Sequence, residues 1–287
     1  MGKVEEALEK AQKEIAENLY SDKKQTVISN EKTVFQVQET ENKPSLSPRI
    51  SYRQSKVARI KNDLLKKNRL ISYFDGNIVS DQYKIIKAKI LQNTGKEGLN
   101  TILVTSAFRG EGKSLTTANL AISLAKEATH TVLLVDTDLR KPSLHQLFGL
   151  RPNQGLSDYL LYDVPLTDLF INPGINRLLF MPGRHSIENS VEVVGAPKME
   201  RLVEELKTRY PERYVIFDSP PLIESADSLI LSRYVDGVIL VIEAGKTQTE
   251  HIEKALSLLE DSNIIGLVLN KGEIPESKKY YYHKLKP

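Results

Sequence analysis

The stretch that most constrains this 287-residue chain is TILVTSAFRGEGKSLTTANLA (101–121). An apolar run passes through Gly110-Glu111-Gly112-Lys113-Ser114 into a helical pattern. A Gly-Lys-Ser ending set between a strand and a helix reads as a phosphate-binding P-loop. Glycines let successive backbone N–H groups wrap phosphate oxygens, and the following helix N-terminus offers further unpaired N–H groups. Lys113 then neutralises the β- and γ-phosphates of a nucleotide, and the Ser114 hydroxyl ligates Mg²⁺. Arg109, Gly110, Glu111, Gly112 and Leu115 complete the expected contact stretch. Ala107 stands where the usual pattern has its first glycine. A glycine-rich turn that merely caps a helix is the bland alternative, and the strand–loop–helix context favours the nucleotide site.

The same texture continues from Asn100 onward. Short apolar runs bounded by turn residues recur at 131–138, 177–183, 213–221, 236–244 and 263–271. Helical patterns such as LTTANLAISLAKEA and APKMERLVEELKTRY lie between most of them. Strands alternating with helices predict an α/β fold, a P-loop NTPase whose mainly parallel twisted sheet is covered by helices on both faces. Right-handed crossovers then align the C-terminal strand ends along one edge, where functional residues are expected.

Acids fall at those ends. LLVDTDLR places Asp136 and Asp138 just past the second strand, and VIFDSPP places Asp218 at the end of another. Residues i and i+2 share one face of an extended chain, so Asp136 and Asp138 can converge on one metal or hydroxyl. A lone Asp after a strand is more often a helix cap. Three beside a P-loop repel one another strongly, and a Mg²⁺–nucleotide relieves that repulsion. Ser114, Asp136, Asp138 and Asp218 are therefore the candidate metal holders, with Lys113, Asp136, Asp138 and Asp218 as the candidate catalytic set.

Composition narrows the alternatives. The chain has no cysteine, which excludes an iron–sulfur cluster, a thiolate zinc site, disulfides and a cysteine nucleophile. No run of 18 apolar residues occurs, and the first residues, MGKVEEALEK, lack the apolar core of a secretory signal, so a cytoplasmic protein is expected. The net charge of +3 conceals a basic segment, 49–70, with eight Lys or Arg against Asp63 alone. That segment is a candidate for anionic lipid, for an acidic partner tail, or for an ordinary solvated helix. No reader motif accompanies it, so no nucleic-acid partner is expected.

Upstream, residues 3–19 have the spacing of a short amphipathic helix, and 20–48 are polar and end in two prolines, as linkers do. Ser80 is the expected N-cap of a helix over 81–92. The division is an N-terminal extension (1–75), a P-loop domain (76–272) and a tail (273–287) that carries Tyr280-Tyr281-Tyr282. An exposed tail of this kind can reach an active site.

Together, GEGKS, LLVDTDLR and VIFDSPP resemble the bacterial tyrosine kinase family, a MinD/ParA-like subgroup of the P-loop fold. That family carries a Walker A loop, an apolar-D-x-D-x-R motif and a Walker B ending in D-x-P-P. The resemblance covers roughly residues 80–272 and implies an ATP- and Mg²⁺-dependent tyrosine autokinase of capsule or exopolysaccharide systems. It implies Asp136 as the group that orients or deprotonates the tyrosine hydroxyl, and Tyr280, Tyr281 and Tyr282 as phosphoacceptors. Arg140 then holds the loop or a phosphate, or serves as an ordinary salt-bridge partner. Asn270 reads the adenine edge or simply ends a strand. The resemblance also implies a transmembrane polysaccharide chain-length regulator as activator, a protein tyrosine phosphatase, and a location peripheral to the inner face of the cell membrane through that partner. Some relatives form rings through an E-x-x-R-x-x-R helix. Here Asp81, Lys84 and Lys87 keep the charges without the arginine fork, so a homo-oligomer through helix 81–92 and the tail competes with a plain surface helix.

Two other functions compete. A MinD/ParA-like ATPase switch usually bears a signature lysine five positions before the P-loop lysine, where this chain has Phe108. A non-catalytic nucleotide-binding adaptor of an export complex would bind ATP without transferring phosphate.

Overall fold

The computed structural model describes residues 56–58, 60–95 and 98–273. The stretch 3–19, the linker 20–48, the first part of the basic segment and Tyr280–Tyr282 lie outside the described residues. In chain order the elements are β1 (Lys56–Val57), α1 (Asn62–Lys67), a 3₁₀ turn (Ile71–Tyr73), α2 (Ile78–Thr94), β2 (Thr101–Ser106) and α3 (Lys113–Ala125). There follow β3 (Thr131–Asp136), α4 (Leu144–Leu147), α5 (Leu156–Tyr162), a second 3₁₀ turn (Leu166–Asp168), β4 (Ile171–Asn172), β5 (Leu178–Met181) and α6 (Ser190–Val194). Then come α7 (Pro197–Arg209), β6 (Arg213–Asp218), α8 (Asp227–Leu231), β7 (Gly237–Glu243), α9 (Thr249–Leu258) and β8 (Ile264–Asn270).

The strands form one sheet in the order β1-β4-β5-β3-β6-β2-β7-β8. Among the described residues every pairing is parallel except the single antiparallel contact of β4 with β5. Six of the eight are the apolar runs read from the sequence, while β1 and β4, two residues each, are too short to show a period. Successive residues of a strand feed opposite faces. Ile102 and Val104 of β2 join the core with Leu120 and Leu124 of α3. Leu103 joins the other core with Met199, Leu202 and Leu206 of α7. Burial on both faces explains why β2, β3 and β6 read as unbroken apolar runs rather than as alternation.

Two boundaries differ from the sequence reading. α2 begins at Ile78 and is capped by Asn77, whose side chain accepts the Ser80 N–H at 2.8 Å. Ser80 is buried at the third helical position, as the recipient of the cap rather than its source. Gly76, at φ 75°, makes the turn that brings Asn77 into extended geometry.

The compact body also starts upstream of residue 76. Leu65 and Leu70 are 2% and 0% exposed and belong to the core under α3. Asn119 of α3 donates to the Arg69 carbonyl at 3.0 Å and accepts the Ser72 N–H at 2.8 Å, which ties this segment to the P-loop helix. Residues 60–75, grouped by the sequence with the extension, are packed because Leu65 and Leu70 point inward while Lys61, Lys66, Lys67 and Arg69 stay exposed.

Candidate active site

The P-loop connects β2 to α3 with Gly110 at φ 90° and Gly112 at φ 93°. Both lie in the left-handed region that glycine enters without strain. α3 has no side-chain cap, so its first N–H groups are available to an anion. The loop is one wall of a cleft of about 370 Å³ that Lys113, Ser114, Asp138, Lys141 and Ser143 also line.

Parallel register places the acids together. Asp136 ends β3 and pairs with Asp218 at the end of β6. Asp218 also pairs with Val104 of β2, the strand that leads into the P-loop. Lys113 Nζ is 3.0 Å from Asp138 Oδ2 and 3.9 Å from Asp218 Oδ2, and it donates to Ser114 Oγ at 3.2 Å. Thr117, one turn along α3, donates to Asp218 Oδ1 at 3.1 Å. Asp136 Oδ2 accepts the N–H groups of Ser143 and Leu144, each at 3.0 Å. Asp138 lines the cleft, whereas Asp136 and Asp218 are fully buried behind it.

Charge is unevenly compensated in this cluster. Burial, reinforced by the neighbouring Asp218 charge, pushes the Asp136 carboxyl up to about 8. Burial also raises Asp218, against the pull of Lys113. Burial alone would lower Lys113, but Asp218 and Asp138 outweigh it and hold the ammonium charged. Two carboxylate oxygens, Asp136 Oδ1 and Asp218 Oδ2, are buried without a hydrogen-bond partner among the described residues. Unpaired acceptors of this kind suit a hard cation. Among the described residues no three acids or imidazoles converge closely enough to cage a metal alone. Mg²⁺ fits such a partial set, because it takes one or two protein ligands and fills the rest with phosphate oxygens and water.

The remaining expected site residues divide. Arg109 is exposed at the loop, its N–H donating to Glu224 at 2.8 Å, and it lines the cleft together with Leu115. The Glu111 side chain turns away from the cleft, accepting from the Phe108 N–H at 2.9 Å and from the Thr247 hydroxyl. Arg140 points to the opposite side of its loop, donating to Ser190 Oγ at 3.2 Å and lying 3.8 Å from the buried Asp227. Asn270 donates its amide to the Glu111 carbonyl at 2.7 Å, so in this structure it holds the loop.

On α2, Lys84 pairs with Asp81 at 2.8 Å, and Lys87 pairs with Glu127. Those two lysines thus already have partners within the chain. Sequence reasoning missed Thr117, Asp227 and Lys271. Thr117 alone had a local signal, lying four residues after Lys113 on the same helix face. Among the described residues no helix is long and apolar enough to cross a membrane.

Comparison with known proteins accords with this geometry. Residues 102–286 match the family model of the CobQ/CobB/MinD/ParA nucleotide binding domain. The chain is 34% identical over 209 residues to tyrosine-protein kinase YwqD of Bacillus subtilis, covering 72% of this chain and 87% of that one. It is 28% identical over 207 residues to the putative tyrosine-protein kinase CapB of Staphylococcus aureus, covering 71% and 90%. A third relative is the succinoglycan biosynthesis transport protein ExoP of Rhizobium meliloti, 30% identical over 184 residues, which are 62% of this chain and 23% of that longer one. Among solved structures, the chimerical protein CapA2B2 superposes with a TM-score of 0.67 at 27% identity, covering 77% of this chain and 96% of that one.

Proposed function

The chain belongs to the bacterial tyrosine-protein kinases within the CobQ/CobB/MinD/ParA nucleotide-binding family, and from that premise we propose that it transfers the γ-phosphoryl group of ATP to tyrosines of its own C-terminal cluster. The observation that carries this reading is the registered carboxylate pair Asp136–Asp218 beside Lys113 at the mouth of an uncapped helix. Phosphoryl transfer asks mainly for charge neutralisation and in-line placement, and this cluster supplies both.

The P-loop amides and Lys113 hold the β- and γ-phosphates. Ser114 and Asp218, with the aspartates of the β3 loop, would hold Mg²⁺. Mg²⁺ held there would supply positive charge against the phosphates, and the Asp136 carboxyl beside it would then favour its ionised form. The tyrosine oxygen bonds to the γ-phosphorus while the bond to the β-phosphate oxygen breaks and ADP leaves. The tyrosine proton passes to the Asp136/Asp138 pair. The family resemblance points to Asp136, and the cleft wall presents Asp138. The acceptors are Tyr280, Tyr281 and Tyr282.

The ExoP relative, a polysaccharide biosynthesis transport protein, supports a role in capsule or exopolysaccharide synthesis and export. In that setting a membrane-embedded chain-length regulator activates the kinase and keeps it at the inner face of the membrane, a phosphatase reverses the mark, and helix α2 with the tail contributes to self-association. The rival ATPase-switch reading lacks its signature lysine. Phe108 occupies that position and stacks edge-on against His251 at 4.8 Å.

Incubation with labelled ATP and Mg²⁺ tests the proposal. Label on tyrosine in the wild type, lost on deletion of 278–287 with ATP binding retained, is the expected result. Free phosphate without phosphotyrosine overturns the kinase reading in favour of a switch, and neither product leaves a binding adaptor. Asp136→Asn and Asp138→Asn assign the proton acceptor, which is the position whose loss abolishes phosphotyrosine while MgATP binding is retained; full phosphorylation in Asp136→Asn excludes Asp136.

A further inference from the structure

The end of β8 and the loop after β7 grip the back of the P-loop. Lys271 Nζ donates to the Gly110 carbonyl at 2.7 Å and pairs with Glu243 at 3.0 Å. Asn270 Nδ2 donates to the next carbonyl, that of Glu111, at 2.7 Å. Thr247 closes the circuit: its hydroxyl donates to the Glu111 carboxylate and accepts the Glu243 N–H at 3.0 Å. Glu111 is 4% exposed, and its other oxygen takes the Phe108 N–H. Lys271 itself sits at φ 59°, a left-handed turn that ends β8 and carries its side chain back over the loop.

A trans peptide is planar, with its C=O and N–H pointing in opposite directions. Fixing the Gly110 and Glu111 carbonyls outward therefore turns the N–H groups of Glu111 and Gly112 the other way. Among the described residues those two N–H groups meet no acceptor. The two glycines at positive φ permit this backbone arrangement, but they equally permit others. An external clamp is what selects one.

We infer that Lys271, held by Glu243, is a positioning residue that presents the P-loop N–H groups to phosphate by fastening the Gly110 carbonyl from behind. Neither its distance from the glycine-lysine-serine motif nor its residue type announces such a role, because it acts through a backbone carbonyl contributed by another strand–loop unit. The chain that continues to Tyr280–Tyr282 leaves β8 at this same residue. This inference rests on the nucleotide-site reading, and the test separates the two.

Binding of MgATP and of Mg-free ADP is measured by calorimetry for wild type, Lys271→Met, Lys271→Arg and Lys271→Gln, with thermal melts alongside. Wild type that binds no nucleotide refutes the nucleotide site itself. Given wild-type binding, Lys271→Met is expected to weaken both nucleotides roughly tenfold, the loss of one charged hydrogen bond to the loop. Lys271→Arg restores affinity to within about threefold, because the guanidinium still reaches a carbonyl. A similar loss for ADP without metal marks an effect on the phosphate cradle rather than on the metal. If Lys271→Met fails to melt cooperatively, Lys271→Gln, which keeps a neutral donor, must show an intermediate loss. Unchanged affinity in whichever of these two variants folds, or an arginine variant as weak as methionine, overturns the inference.

Discussion

Asp136→Asn should stabilise the nucleotide-free protein at slightly alkaline pH and change little at acid pH. The Asp136 carboxyl is 0% exposed and is pushed up to about 8, chiefly by burial and then by Asp218. In the unfolded chain it returns to its ordinary value of 3.8. Between these limits the folded state keeps a proton that the unfolded state releases, so stability contributed by this group falls as pH rises. Each pH unit in that window is worth about 1.4 kcal/mol. From pH 5 to 7.5 the wild type should therefore lose about 3 kcal/mol that the amide does not lose. The amide oxygen can still accept the Ser143 and Leu144 N–H groups that Asp136 Oδ2 accepts now. Asp218 shares its charge environment with Asp136, so the pH slope of the difference reports the pair, with the buried Asp136 carboxyl as the group removed. Urea melts of metal- and nucleotide-free wild type and Asp136→Asn at the two pH values measure this. A difference that stays constant between pH 5 and 7.5 would show that Asp136 is ionised in the fold and would refute the electrostatic reading of the cluster.

Three further outcomes follow from particular contacts. Lys113→Met should abolish detectable MgATP binding in calorimetry, since it removes the ammonium that sits 3.0 Å from Asp138 and 3.9 Å from Asp218; binding within tenfold of wild type would contradict its place in the phosphate site. Asn77→Ala should cost about 1 kcal/mol in denaturant melts by orphaning the Ser80 N–H, with ATP affinity unchanged. Asp227→Ala leaves Ser190 and the half-exposed Arg140 without their shared acceptor. It should cost about 1–2 kcal/mol and reduce the rate of tyrosine phosphorylation more than nucleotide affinity, because it loosens the loop that carries Asp138 rather than the P-loop.

Much of the candidate site is legible in the sequence. Gly110, Gly112, Lys113 and Ser114 announce a phosphate cradle because each residue type answers a demand made within a few residues of itself: turn, amide exposure, charge, hydroxyl. Asp138 and Asp218 were legible because buried strands end in a recognisable pattern. The sequence singles out Arg140 and Asn270 as nucleotide contacts, but their side chains face Asp227 and the Glu111 carbonyl. Their spacing carries no information on which neighbour lies across the loop. Ser80 shows the same limit at short range: Ser and Asn are both good caps, and the choice fell to Asn77 because the turn at Gly76 set it in extended geometry.

Local pattern, then, suffices for the identity and order of the strands, the phosphate loop and the kind of chemistry, since periodicity and turn residues act over a few positions. It does not say which strands lie side by side. The order β3-β6-β2-β7-β8 sets Asp136 against Asp218 and carries Lys271 to the back of the P-loop. Those meetings depend on how two apolar faces of one sheet are covered at once. That is a property of the whole packed chain, which no window of sequence contains.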